Sequence, residues 1–168
     1  PVESALDRVV APLASQAPLL PVVPDGMSAA VSLALSQSLL SCGWPAWDRL
    51  GEPLAMLATV PSVTECSRTS LLSGRLARGV ARQEAQAFAA HEGLRRASRS
   101  GQPPQLFHKA GVEQSHQLST EVASAIADTA SQVVAVVINA IDDALAKSDQ
   151  VRIEWDIDTI PLLAEVLD

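Results

Sequence analysis

One stretch of the chain combines residue types that could do covalent chemistry: residues 61–75, which read PSVTECSRTSLLSGR. The apolar run at residues 54–60 ahead of it predicts a buried strand, and Pro61 ends that strand. Residues 67–73 then predict a short helix closed by Gly74. Thr64 stands in the polar turn between them, at or just before the helix N-terminus. Free backbone N–H groups gather at such a terminus and favour anions. A hydroxyl held there is mounted to attack a phosphorus or sulfur ester. The same residue also reads as an ordinary N-cap.

Other charged residues are placed by neighbouring elements. Arg68 follows Thr64 by one helical turn and can reach the same anion. Residues 105–109 predict a short strand with His108 and Lys109 at its carboxyl end, where open α/β sheets bind ligands. Lys109 would offer a point charge to a phosphoryl oxygen; a surface strand end is the plainer alternative. Residues 19–25 predict a first strand that Pro21 and Pro24 confine to an edge or make irregular. Asp25 or Ser28 then caps a helix over residues 27–40. Residues 132–140 are apolar on both faces, as a central parallel strand requires. Asp142 and Asp143 follow it, and adjacent carboxylates at a buried strand end need a positive partner, a metal or Lys147. A solvated turn or helix cap is the alternative.

The remaining elements are simpler. Apolar spacing at Ala5, Leu6, Val9, Val10 and Leu13 predicts a leading helix limited by Pro12. Residues 44–47 and 51–53 read as loops, with Trp44 and Trp47 packing the first onto the core. Arg75, Arg78 and Arg82 share helical spacing, and residues 80–90 favour a helix. Ser119 caps a helix over residues 119–127. A short strand at residues 151–155 and a last helix at residues 157–167, with Pro161 in its first turn, complete the reading. His91 and His116 read as surface residues.

The chain has 168 residues, 48% hydrophobic and 18% charged, enough for one domain with a sizeable core. Two cysteines make no disulfide framework, so a reducing cytoplasm is expected. No apolar run approaches the ~20 residues of a membrane span. A net charge of −7 and 3% aromatics argue against general nucleic-acid binding through a basic, stacking surface.

Residues 61–75 resemble the nucleophile segment of the alkaline phosphatase superfamily. Its sulfatases carry Cys-x-Pro-Ser-Arg-x-x-Leu-Leu-x-Gly-Arg, and Ser67, Arg68, Leu71, Leu72, Gly74 and Arg75 fall on the matching positions. The nucleophile position lands on Thr64, as in the phosphatase and phosphodiesterase branches, and Cys66 lies two residues too late for the sulfatase cysteine. Within the superfamily the chain looks like the PglZ domain of bacterial Pgl and BREX phage-defence systems. Residues 24–28 (PDGMS), 61–75 and 136–143 (VVINAIDD) carry the likeness, with residues 107–110 (FHKA) adding to it.

The resemblance implies an α/β fold with a mostly parallel sheet flanked by helices, alkaline-phosphatase-like and an N-terminal part of such a domain. It implies a metal-dependent phosphatase or phosphodiesterase, a nuclease among them, with Thr64 as nucleophile and Arg68 and Lys109 on the phosphoryl oxygens. Asp25, Asp142 and Asp143 would hold a divalent metal, Zn²⁺ by analogy. The expected partners are a phosphate ester, nucleic acid included, and other defence proteins, with no membrane. The superfamily's Asp-His-Gly element and metal-binding histidines have no match here. That departure favours the competing reading, a non-catalytic interaction module.

Overall fold

The computed structural model describes residues 1–44, 55–114, 117–147 and 154–167. The chain starts with a helical lead: a 3-10 turn at Val2–Ser4, a π-type turn at Leu6–Val10, and α1 at Ala11–Ala14. The widened turn has a chemical cause. Pro12 has no N–H for the Arg8 carbonyl, and the Ala11 N–H closes instead on the Leu6 carbonyl. Strand β1 is Val22–Pro24, α2 is Ala29–Ser41 and α3 is Thr64–Ser73. Then come α4 (Ala81–Ala90), α5 (Glu92–Ala97), β2 (Gln105–Phe107) and α6 (Lys109–Val112). An antiparallel pair, β3 (Glu113–Gln114) and β4 (Gln117–Leu118), leads to α7 (Thr120–Ala127). Strand β5 (Val134–Ile138), α8 (Ala140–Lys147) and α9 (Pro161–Leu167) finish the chain.

These elements form a mixed α/β structure with a small parallel sheet of order β1-β5-β2. The central position of β5 follows from its sequence: all five residues are apolar and all are buried. Gln105, Leu106 and Phe107 of β2 register against Val134, Ala135 and Val136. On the other side, the Val134 and Val136 N–H groups donate to the Leu19 and Pro21 carbonyls at 3.1 and 3.0 Å. Residues 19, 21 and 25 thus face β5, and Pro24 falls in the opposite phase with its missing donor turned outward. Pro21 costs one rung of the ladder and keeps its carbonyl in use. Pro24 is tolerated because β1 is an edge strand, whereas Pro21, just before β1, gives up one bond to β5.

The chain divides into two compact units, residues 1–23 with 56–137 and residues 24–55 with 138–168. The larger unit has an apolar core of Leu6, Ala14, Leu72, Phe88, Leu94 and the β5 side chains Ala135 and Val137. In the smaller unit α2 is capped by Ser28, whose Oγ accepts from the Val31 N–H at 3.3 Å. No helix among the described residues is long and apolar enough to cross a membrane.

Several expectations need correcting. The predicted strand before Pro61 is absent: residues 55–60 form no strand, Leu57 is 78% exposed and Val60 fully so. The Leu57 carbonyl accepts from the Val2 N–H at 2.8 Å, so this backbone is engaged by the N-terminal turn and not by the sheet. Arg75 and Arg78 lie in the loop between α3 and α4, apart from Arg82 on α4. Trp44 is 47% exposed and packs no loop into the core, while residues 45–47, 51–53 and His116 lie outside the described residues. Of the predicted strand at 151–155, residues 151–153 also lie outside, and Glu154 and Trp155 belong to no strand.

Phe88 has no exposed surface at the centre of the larger unit's core. Truncation removes its packing contacts and leaves a cavity. Phe88→Ala is expected to lower the unfolding free energy by about 3–5 kcal/mol, read by urea denaturation.

Candidate functional site

In the smaller unit, Asp25 is the residue directly after β1 and is buried. Its N–H donates to the Ile138 carbonyl at 2.8 Å, which fixes the end of β1 against the end of β5. One carboxylate oxygen accepts from the Gly26 N–H at 3.1 Å, and the other accepts from Asn139 Nδ2 at 3.3 Å. Ser28 provides the cap of α2, so Asp25 is not spent on that task.

Asp142 and Asp143 occupy the first turn of α8, where carboxylates complement the helix dipole. Asp142 is exposed, so the burial cost expected for an adjacent pair does not arise there; Asp143 is half-buried. Gly26 allows Asp142 to come close. It has φ +76°, and a β-carbon built on it would lie 2.9 Å from Asp142 Oδ1 and 3.1 Å from Asp142 Cα. A side chain at 26 would press on Asp142 and the backbone of α8, and the positive φ would add strain. The structure therefore brings Asp25, Asn139 and Asp142 together around the ends of two neighbouring parallel strands. Among the described residues no three His, Cys, Asp or Glu side chains converge as a metal-binding group.

In the larger unit, Thr64 is the first helical residue of α3 and is half-buried. The N-cap is Val63, which makes no side-chain cap bond; its carbonyl accepts from the Cys66 and Ser67 N–H groups. Thr64 thus opens the helix, and the helix starts earlier than its sequence suggests. Gly74 ends it at φ +68°, as predicted. Arg68, one turn on, donates from Nε to Glu84 Oε2 at 3.1 Å. Thr69 Oγ1 donates to Glu84 Oε1 at 2.7 Å, and His108 Nε2 lies 2.6 Å from Glu84 Oε2. Lys109 is exposed at the start of α6, beside His108 at the carboxyl end of β2.

Glu84 is the residue that sequence reasoning missed. It shares the inward face of α4 with Phe88 one turn later, and its exposure is zero. Burial alone pushes its carboxyl up; the hydrogen bonds from His108 and Thr69, with the positive charge of Arg68, outweigh that and hold it below the usual carboxylate range. The available signal was a lone carboxylate at an apolar-stripe position of an Ala-rich helix, which demands a cation elsewhere in the chain. Asn139 was missed as well, because it reads as the last residue of an apolar strand. His91 is no surface residue: its Nδ1 accepts from the Leu94 N–H and caps α5.

No family model, curated protein or solved structure matches the chain.

Glu84 ionises more readily in the folded chain than in the unfolded one. Its contribution to stability is complete above the ordinary carboxylate range, about pH 4–5, and is lost as pH falls through the lower folded value. Glu84→Gln is expected to destabilise by about 3 kcal/mol at neutral pH. The gap from the native protein should narrow on acidification, as read by chemical denaturation at pH 7 and at pH 3. A gap that stays constant with pH would contradict the linkage.

Proposed function

We propose that this chain contributes to a metal-dependent phosphate ester hydrolase, with Thr64 as the nucleophile. The observation that carries the reading is the juxtaposition of Asp25 and Asp142 at the carboxyl ends of neighbouring parallel strands. That is where open parallel sheets bind ligands, and it agrees with the carboxylate positions that the PglZ-like segments imply.

Asp25, Asp142 and Asp143 would supply part of the cation's ligand set, since the three do not converge as a complete group. Their donor set is all oxygen, with Asn139 already hydrogen-bonded to Asp25. Oxygen donors suit a hard divalent ion that keeps water ligands, such as Mg²⁺ or Mn²⁺. Zn²⁺, the ion expected by analogy, usually adds imidazole or thiolate ligands. When bound, the ion supplies Lewis-acid activation of the ester and of a hydroxyl. Thr64 Oγ1 would attack phosphorus as the P–O bond to the ester's alcohol breaks, the hydroxyl proton ending on the departing oxygen; water would then cleave the phosphothreonine, which restores the hydroxyl and releases the phosphate. Arg68 and Lys109 complement charge on the phosphoryl oxygens. Phosphate esters, nucleic acid among them, and other phage-defence proteins are the proposed partners.

A second reading has its own observation. Arg68 is held by buried Glu84, which gives it a structural task without any substrate. A non-catalytic interaction module would need nothing more of it.

The assay is hydrolysis of a chromogenic phosphodiester with Mn²⁺, Mg²⁺ or Zn²⁺, using the whole polypeptide that contains this chain. Thr64→Ala is expected to lower the rate at least about a thousandfold, and Asp25→Asn to weaken metal activation. Equal rates with and without Thr64 would remove it as nucleophile. A folded, metal-loaded protein with no activity would favour the interaction module.

A further inference from the structure

The hydrolase reading leaves one buried titratable group without a task. Glu84 is fully buried, yet it gathers groups from two other parts of the chain: Arg68 and Thr69 on α3, and His108 just after β2. Two roles are open to such a carboxylate. It can simply neutralise a buried charge, or it can set the orientation and proton placement of an imidazole at a site.

The geometry distinguishes them. The shortest contact goes to the imidazole, 2.6 Å from Glu84 Oε2 to His108 Nε2. Thr69 donates to Oε1, and Arg68 Nε approaches both oxygens at 3.1 and 3.3 Å. With those donors holding the carboxylate ionised, Glu84 can only accept, so His108 must carry its proton on Nε2. That leaves Nδ1 as the imidazole nitrogen that Glu84 does not engage. The His108 side chain keeps 17% of its surface exposed, against zero for Glu84. It stands at the carboxyl end of a parallel strand, beside Lys109.

We propose that Glu84 is a positioning residue that fixes His108 with Nε2 protonated, so that the Nδ1 lone pair accepts the proton of a phosphate P–OH group at the carboxyl end of β2. The choice of phosphate rests on the hydrolase reading; the positioning of His108 by Glu84 does not. Glu84 also fixes the Arg68 side chain, so one buried carboxylate sets two groups of the same unit.

The test is nitrogen-15 NMR of the three histidine side chains, with His108 assigned by its loss in His108→Gln. The native protein should show an Nε2-bound proton far downfield, as a short bond to a carboxylate produces. Glu84→Gln should move that proton upfield. Glu84→Asp keeps the charge and draws the carboxylate back by one methylene, so it gives the same readout should the Gln variant fail to fold. Thr69→Val leaves the Glu84–His108 contact in place and should keep the signal. A His108 whose single proton sits on Nδ1, or a signal unchanged in both Glu84 variants, would overturn the assignment. Inorganic phosphate, titrated into the native protein, should shift the Nδ1 resonance, with affinity about tenfold weaker in the Glu84 variants. Phosphate binding that leaves Nδ1 unmoved overturns the ligand-facing role. A protein that binds no phosphate but shows the downfield proton sustains Glu84 as the positioning residue and counts against the hydrolase reading.

Discussion

A carboxylate with no exposed surface is a demand on everything around it. Glu84 is placed on the inward face of α4 by the same periodicity that buries Phe88. Left alone there, its charge would cost several kcal/mol in desolvation. Arg68 and Thr69 must therefore present one face of α3, and His108 must turn back from the end of β2. The position of α3, and with it of Thr64 at its first turn, is tied to this one requirement. The apolar contacts of Leu72, Phe88 and Leu94 supply much of the burial energy in this unit, while the polar cluster adds directional constraints that apolar packing lacks.

The smaller unit rests on a backbone constraint instead. The Asp25 N–H reaches the Ile138 carbonyl, and Gly26 then turns with a positive φ that leaves room for α8. Asp142 approaches so closely that a methyl group at 26 would be in its way. The carboxylate pair is thus a product of chain geometry at two strand ends. Its chemical character, oxygen donors only, follows from which residues those ends carry.

Much of this was legible because the relevant signals are local. The central strand announces itself by apolar residues on both faces, the edge strand by its prolines, and α3 by the glycine at its carboxyl end. Ser28 and Ser119 cap the helices they precede, as hydroxyl residues there should. The failures are tertiary. An apolar run at residues 55–60 has the composition of a strand, but a neighbour from the N-terminal turn takes the Leu57 carbonyl, and Val60 stays in solvent. Arg68 was readable as a ligand for an anion, whereas its partner Glu84 lies sixteen residues away on another helix. Nothing in the spacing of α3 points to that pairing. In the smaller unit, the positions of Asp25 and Asp142 near strand ends could be read from sequence, but Asn139, which donates to Asp25, could not; in the larger unit the same is true of Glu84.

The proline of β1 has an effect beyond the sheet it belongs to. An edge strand normally offers a row of unpaired N–H and C=O groups to any passing chain. On β1 the outward-facing phase includes Pro24, which has no hydrogen to offer. A strand arriving from a second molecule would find its ladder broken at that rung. The Pro24 rung is thereby closed to an arriving strand on this edge of the sheet that the described residues form.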